Sequence, residues 1–300
     1  MTEERKQEIL EIIRNTNRRP AQTGKPLYPE EIMAYPNLCE EIESISRTVD
    51  GFSYRMDILR AKNRGENCPL FINIHGGGFI GPHRENDTYF SAYMADQIHG
   101  ITVDLDYTLS DAAPYPVALH QCMDALDYVA EHANTWGASA KDISVGGYSA
   151  GGGLTAAMGI CCAERGGFVP KLQILCYPPL EYRIPDQYKI DAYDRQIGME
   201  RCKAFADLYF DDKKENFEDI HNSPLYAPRE ILAKQPKTLI LSAGLCNFRY
   251  EDEDYAICLA DAGAEVILKR FPEASHGFIP HFMDGWKEAA DLMVREILEK

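Results

Sequence analysis

Short apolar runs alternate with segments of helical period along most of this chain. Residues 3–15 gather Ile9, Leu10, Ile12 and Ile13 toward one side, the spacing of an amphipathic helix. A polar stretch through Pro20, Pro26 and Pro29 predicts a wrapped arm rather than a core element. SISRTVDG and FSYRMDILRA predict two strands meeting at Asp50-Gly51, a hairpin signal. CPLFINIH and ITVDLDY read as buried strands, Val117 through Ala133 as a helix, and DISVGGYS as a strand running into a turn. GGLTAAMGICCAE gives a buried helix, followed by the strands KLQILCYP and TLILSAG. DEDYAICLADAG is a helix closed by Gly263, AEVILKRF the last strand, and DGWKEAADLMVREILEK a terminal amphipathic helix. Strands separated by helices predict an α/β fold with a mostly parallel sheet covered on both faces. The segment 181–229 breaks the rhythm. It is rich in Tyr, Asp and Pro, has helical signals around 199–209, and predicts an insertion over the C-terminal edge of the sheet.

Composition adds mainly exclusions. The 300 residues are 45% hydrophobic and 26% charged, as in a globular protein, and α/β domains of this size often form one unit. No apolar run approaches the roughly twenty residues that span a bilayer. The start, MTEERKQEILEIIRN, is charged where a signal peptide would be apolar, so a cytoplasmic location is expected. The nine cysteines are scattered and odd in number, with no C-x-x-C pair, which predicts free thiols in a reducing compartment and no zinc or redox motif. A formal net charge of −16 repels phosphate backbones and anionic lipid, so neither a nucleic acid nor a membrane surface is an expected partner. A neutral small molecule fits better, and the oligomeric state stays open, with a homodimer compatible.

Three short motifs carry chemistry. Gly147-Tyr148-Ser149-Ala150-Gly151 is a G-x-S-x-G at a strand-to-helix junction, where a sharp elbow lifts the serine hydroxyl out of the sheet. Taken alone it also fits a glycine-rich helix start packed on the sheet. His75-Gly76-Gly77-Gly78-Phe79 follows a strand directly, and its unobstructed N–H groups suit an oxyanion. It lacks the Lys-Ser/Thr of a phosphate-binding loop. His75 reads as a scaffold for that loop, not a proton carrier. Ser275-His276-Gly277-Phe278 follows the last strand, where a histidine can reach the serine as general base.

HGGGF, GYSAGG and SHGF, with Asp106-Tyr107-x-Leu109 after the fourth strand, resemble the hormone-sensitive-lipase-like esterases of the α/β-hydrolase superfamily. The resemblance covers roughly residues 43 to 300 and keeps the motifs in order. It implies a sheet of about eight strands, a core from 46–180 and 230–300, a small helical cap from 181–229, and an arm from 1–45 that contributes to the cap. It further implies hydrolysis of short-acyl esters, acetyl first among them, without metal or cofactor. Ser149 would be the nucleophile, His276 the base, and Gly76, Gly77 and Ala150 the oxyanion donors.

Two positions depart from that family. Tyr148 stands where an acidic residue usually precedes the serine, a change expected to tune the elbow's surroundings. More seriously, Ala243-Gly244-Leu245-Cys246-Asn247-Phe248-Arg249-Tyr250-Glu251 matches the acid-bearing segment without a gap and places Cys246 at the aspartate. A neutral thiol is a poor acceptor for an imidazole N–H, and loss of the acid from a triad can cost about four orders of magnitude in turnover. Three arrangements remain. An acid from elsewhere substitutes, the best placed being Glu181 after the sixth strand. Otherwise a Ser–His dyad works with Asn247 or a backbone carbonyl, or catalysis is lost and a ligand pocket kept. Glu251 and Asp252 are nearer, but they are expected to open a helix, where acids are favoured by the dipole alone. Within enzymes the alternative is a serine peptidase. Tyr182, Tyr188, Tyr193, Tyr209 and Tyr226 in the cap are expected to pack it onto the core or to line an acyl pocket. The acidic clusters there and beyond lack calcium-loop spacing.

Overall fold

The computed structural model describes residues 1–16, 27–184 and 197–299. The proline arm between 17 and 26, with Pro20 and Pro26, lies outside the described residues, as do Tyr188 and Tyr193. In chain order the elements are α1 (Glu3–Asn15), α2 (Glu30–Met33), β1 (Glu43–Val49), β2 (Phe52–Arg60), β3 (Cys68–Ile74), α3 (Glu85–Gln97), β4 (Ile101–Asp106) and α4 (Val117–His132). They continue with β5 (Ala138–Tyr148), α5 (Ala150–Arg165), β6 (Leu172–Cys176), α6 (Met199–Phe210), α7 (Lys214–Glu218) and α8 (Arg229–Leu232). The chain closes with β7 (Lys237–Ala243), α9 (Arg249–Ala262), β8 (Val266–Phe271) and α10 (Trp286–Leu298).

The eight strands form one sheet in the order β1-β2-β4-β3-β5-β6-β7-β8. The β1–β2 and β2–β4 pairs are antiparallel, and every pair from β4–β3 to β7–β8 is parallel. This is the α/β-hydrolase arrangement. The hairpin closes as its sequence requires: Val49 pairs with Phe52, and Asp50 and Gly51 both take positive φ, 52° and 84°.

Period-2 alternation along β3 divides the core. Leu70, Ile72 and Ile74 face a cluster shared with Leu126 and Val129 of α4 and Leu154 and Met158 of α5. Phe71 faces the other side, with Phe90 and Met94 of α3 and Met293 and Ile297 of α10. Helix α3 has no counterpart in the sequence pattern. Eight of its thirteen residues are buried, Asn86, Asp87 and Ser91 among them, so polar residues fall on the inward side as well as the outward one and blur the helical period. Helix α1 buries Ile9 and Ile13, one turn apart, on Ala204 and Leu208 of α6. Among the described residues no helix is long and apolar enough to cross a membrane.

Candidate active site

The edge of the sheet at the strands' C-terminal ends collects all three motifs. Strand β5 stops at Tyr148 and α5 starts at Ala150, leaving Ser149 alone at the corner with φ 56° and ψ −123°. A non-glycine residue with φ in that region is strained and persists only where its surroundings fix it. Here Ser149 N–H donates to Cys176 O (2.9 Å) and Ser149 O accepts from Gly153 N (3.0 Å), so the elbow is tied to β6 on one side and to α5 on the other.

The loop after β3 passes close beside this corner. A Cβ on Gly76 would come within 2.7 Å of Tyr148 O and 3.2 Å of Ser149 Cβ. Among the described residues the N–H groups of Gly76 and Gly77 donate to no carbonyl or side chain. Ala150 N–H, at the first position of α5, is likewise a donor that a helix leaves without an internal partner. His75 is fully buried, its ring stacked on Tyr107 at 4.3 Å, with Nδ1 on Gly76 O (2.8 Å) and its own carbonyl accepting from Tyr107 OH (3.1 Å). It braces the loop.

His276 lies beyond β8 and meets Ser149 across 127 residues of sequence. Its Nε2 is 2.8 Å from Ser149 Oγ. The ring is held edge-on between Tyr177 (5.0 Å between centroids) and Phe248 (5.6 Å). Burial, followed by the neighbouring charge of His281, lowers its pKa to about 3, and among the described residues no carboxylate opposes that shift. The imidazole is therefore neutral, with Nε2 available as an acceptor when the proton sits on Nδ1.

Glu181 does not take the orienting position expected of it. His276 Nδ1 faces Cys246 Sγ at 3.0 Å. The Glu181 carboxylate instead accepts the N–H of Ile184 (2.8 Å), and the Glu181 N–H donates to Glu251 Oε2 (3.0 Å). Glu251 also accepts the N–H of Leu180 (2.8 Å), so the acid at the start of α9 pins the loop after β6. Backbone bonds aim Cys246: Gly244 N–H donates to Phe271 O (2.8 Å) and Leu245 N–H to Ala274 O (3.1 Å), joining its turn to the loop that carries His276. The ungapped alignment of the segment was the signal for this position, and the weak acceptor chemistry of a thiol pointed away from it.

A pocket opens over Ser149, walled by Phe79, Pro179, Tyr182, Ile197, Phe205 and Phe248. Among the described residues no charged side chain lines it. Helix α6 supplies its roof: a Cβ on Gly78 would fall 2.4 Å from the Phe205 ring, so the third glycine of the loop is what admits Phe205. Of the cap tyrosines, Tyr182 lines the pocket, while Tyr209 packs flat on Phe79 at 3.7 Å.

Behind the elbow lies a buried polar network that the motifs did not announce. Tyr148 OH donates to Asp87 Oδ1 (3.1 Å) and accepts from Asn73 Nδ2 (3.1 Å), and Asn73 also donates to Asp104 Oδ1 (3.1 Å). His83 Nε2 is 2.7 Å from Asp104 Oδ2. Tyr148 thus reaches the carboxylate of Asp87 on α3 instead of supplying its own. Burial raises the Asp87 pKa to about 6. Burial alone would lower that of His83, but the charge and hydrogen bond of Asp104 outweigh it and raise it to about 9. A histidine pKa raised from 6.5 contributes stability that is complete below about pH 6.5 and lost as pH rises through 9. The urea midpoint of the native protein is therefore expected to fall between about pH 7 and about pH 9.5, and to fall less in His83→Gln. Equal losses in both would remove the His83–Asp104 pair as the cause.

A nucleophile elbow on β5, an adjacent glycine loop and a histidine after the last strand define an α/β hydrolase. Residues 71–280 match a family described as alpha/beta hydrolase fold, and the chain belongs to that family, in its hormone-sensitive-lipase-like branch. It is 30% identical over 217 residues to Esterase LipI of Mycobacterium tuberculosis, covering 71% of this chain and 66% of that one. Carboxylic ester hydrolase LipN of the same organism is 31% identical over 243 residues, covering 75% and 61%. The chain thus spans a little under two-thirds of the length of these relatives. Among solved structures, a thermostable esterase from Pseudomonas putida superposes with TM-score 0.75 at 25% identity, over 98% of this chain and 95% of that one. A hyperthermophilic esterase from Pyrobaculum calidifontis, at 24% identity, shares the fold with TM-score 0.77 over 99% and 98%.

Proposed function

We propose that this protein is a serine carboxylesterase that hydrolyses short-acyl esters of a neutral small molecule through a covalent acyl-enzyme. The carrying observation is the 2.8 Å contact between Ser149 Oγ and the Nε2 of a neutral, buried His276. Nε2 takes the hydroxyl proton as Oγ attacks the ester carbonyl. The oxyanion forms against the N–H groups of Gly76, Gly77 and Ala150, which are fixed before the substrate arrives. His276 then returns the proton to the leaving alcohol, and a water repeats the sequence on the acyl-enzyme.

The apolar lining of the pocket supports an uncharged substrate, and Phe205 over the glycine loop supports a small acyl group, acetyl first. The esterase names of the relatives support the reaction class. In this reading 181–229 and the arm 1–45 cap a core of 46–180 and 230–300, and the nine free cysteines support a cytoplasmic setting.

Labelling with a fluorophosphonate tests the chemistry without knowledge of the substrate. The native protein is expected to gain the mass of one phosphonyl group, mapped to Ser149, and Ser149→Ala to gain none. A native protein that stays unlabelled after prolonged exposure would point to a pocket without an activated serine.

A further inference from the structure

We propose that Cys246, as its thiolate, is the positioning residue that holds the Nδ1 proton of His276. The inference deepens the esterase reading and rests on it for its rate predictions. Proton accounting supplies the first argument. Ser149 can give its proton to Nε2 only when Nε2 is bare, so the single ring proton must lie on Nδ1 and the sulfur 3.0 Å away must accept it. A thiol hydrogen lying between Sγ and Nδ1 enforces the other tautomer. Nε2–H then faces Ser149 Oγ, and the base is occupied.

The surroundings of the sulfur supply the second. Phe248 N–H donates to Cys246 Sγ at 3.4 Å, so with the ring proton on Nδ1 two N–H groups converge on one atom. A thiol hydrogen can turn to Asn247 Oδ1, but at 4.0 Å that bond is at the limit for sulfur and holds the hydrogen weakly. Converging donors favour the charged form of an acidic group, and α9 begins three residues later with its N-terminal end toward this turn. The other ionisable groups nearby leave that balance in place. Burial keeps Tyr177 beside His276 protonated and pushes the carboxyl of Asp252 on α9 well up. Glu251 is engaged by Leu180 and Glu181, and Arg249 donates to Gly244 O. His281, the other histidine of the loop, has its Nδ1 on Tyr28 OH, and Cys202 Sγ on α6 accepts from Asn247 Nδ2 at 3.7 Å.

Activation is then the loss of one proton to solvent from the Cys246–His276 pair, which titrates as a unit. The rising limb of kcat/KM against pH belongs to that pair. Aspartate at 246 supplies an anion at every pH above about 5. Serine keeps the size and cannot ionise.

The test follows p-nitrophenyl acetate hydrolysis from about pH 5 to about pH 10 in the native protein, Cys246→Asp and Cys246→Ser, each checked for native thermal unfolding. Cys246→Asp is expected to move the rising limb down by at least about one pH unit, with a rate at about pH 6 raised roughly tenfold or more. Cys246→Ser is expected to lose the native limb and fall about tenfold or more on the alkaline plateau. A serine variant with the native rate and limb would overturn the proposal, as would an aspartate variant with an unmoved limb.

Nitrogen NMR of labelled histidine reads the tautomer without turnover. The expected result is an Nδ1-protonated His276 above the native limb, and at all pH values above about 5 in Cys246→Asp. If that tautomer switch is present but no Ser149-dependent turnover is found, the esterase reading fails alone. A tautomer indifferent to residue 246 overturns the role of Cys246.

Discussion

His276→Ala is expected to lower kcat for p-nitrophenyl acetate by about 10⁴ to 10⁶, with KM changed much less. Among the described residues the ring is the sole acceptor at Ser149 Oγ, and no second base lines the pocket. Without it, Ser149 must attack with its proton in place, while the N–H groups of the glycine loop remain to bind the oxyanion. Residual hydrolysis above water should therefore persist. Because nucleophile and base act as one unit, the double variant with Ser149→Ala should be no slower than either single one. Steady-state kinetics on the three variants decides this. A fall below about tenfold in His276→Ala would mean that another group takes the proton. The deletion also leaves a void between Tyr177 and Phe248, so a modest loss of stability, on the order of 2 kcal/mol, is expected beside the kinetic one.

The sequence made the β-strands legible because most of them bury side chains in a short, turn-bounded run, and β1–β2 was legible down to its turn because Asp50-Gly51 suits two positive φ values. Helix α3 was not, since polar residues on its inward side blur the periodicity by which a helix is recognised. In the site, Ser149, His276 and the glycine loop could be placed from motif order alone. The partner of His276 could not. Residue chemistry favoured the carboxylate of Glu181, whereas position favoured Cys246, and position prevailed. The turn that delivers residue 246 is fixed by backbone bonds from Gly244 and Leu245, which are indifferent to the side chain it carries. The same holds for Tyr148: its hydroxyl finds Asp87 on α3, a residue no local pattern could bring to the elbow.

Gly151→Ala is expected to do the greatest damage to the fold of any single methyl group added at the elbow. Its Cβ would stand 2.1 Å from Ile74 O and 2.5 Å from His75 O. Both are backbone atoms, so no rotamer change relieves the overlap, and α5 must back away from β3 or the end of β3 must yield. Either movement disturbs a core in which Leu154 and Ile74 are fully or almost fully buried and share one cluster. Overpacking of this kind costs about 3 kcal/mol or more, which lowers Tm by on the order of 10 °C. It also displaces His75 O, the carbonyl that Tyr107 holds, and with it the start of the loop that carries Gly76 and Gly77. Any protein that still folds should therefore lose kcat as well. Gly198→Ala, whose Cβ would meet nothing within 4 Å, is the matched control and should stay within about 1 kcal/mol of native. Calorimetric scans of the two variants decide the matter. Equal Tm values would show that β3 and α5 can separate at this crossing without cost, and that the close approach is not what requires glycine there.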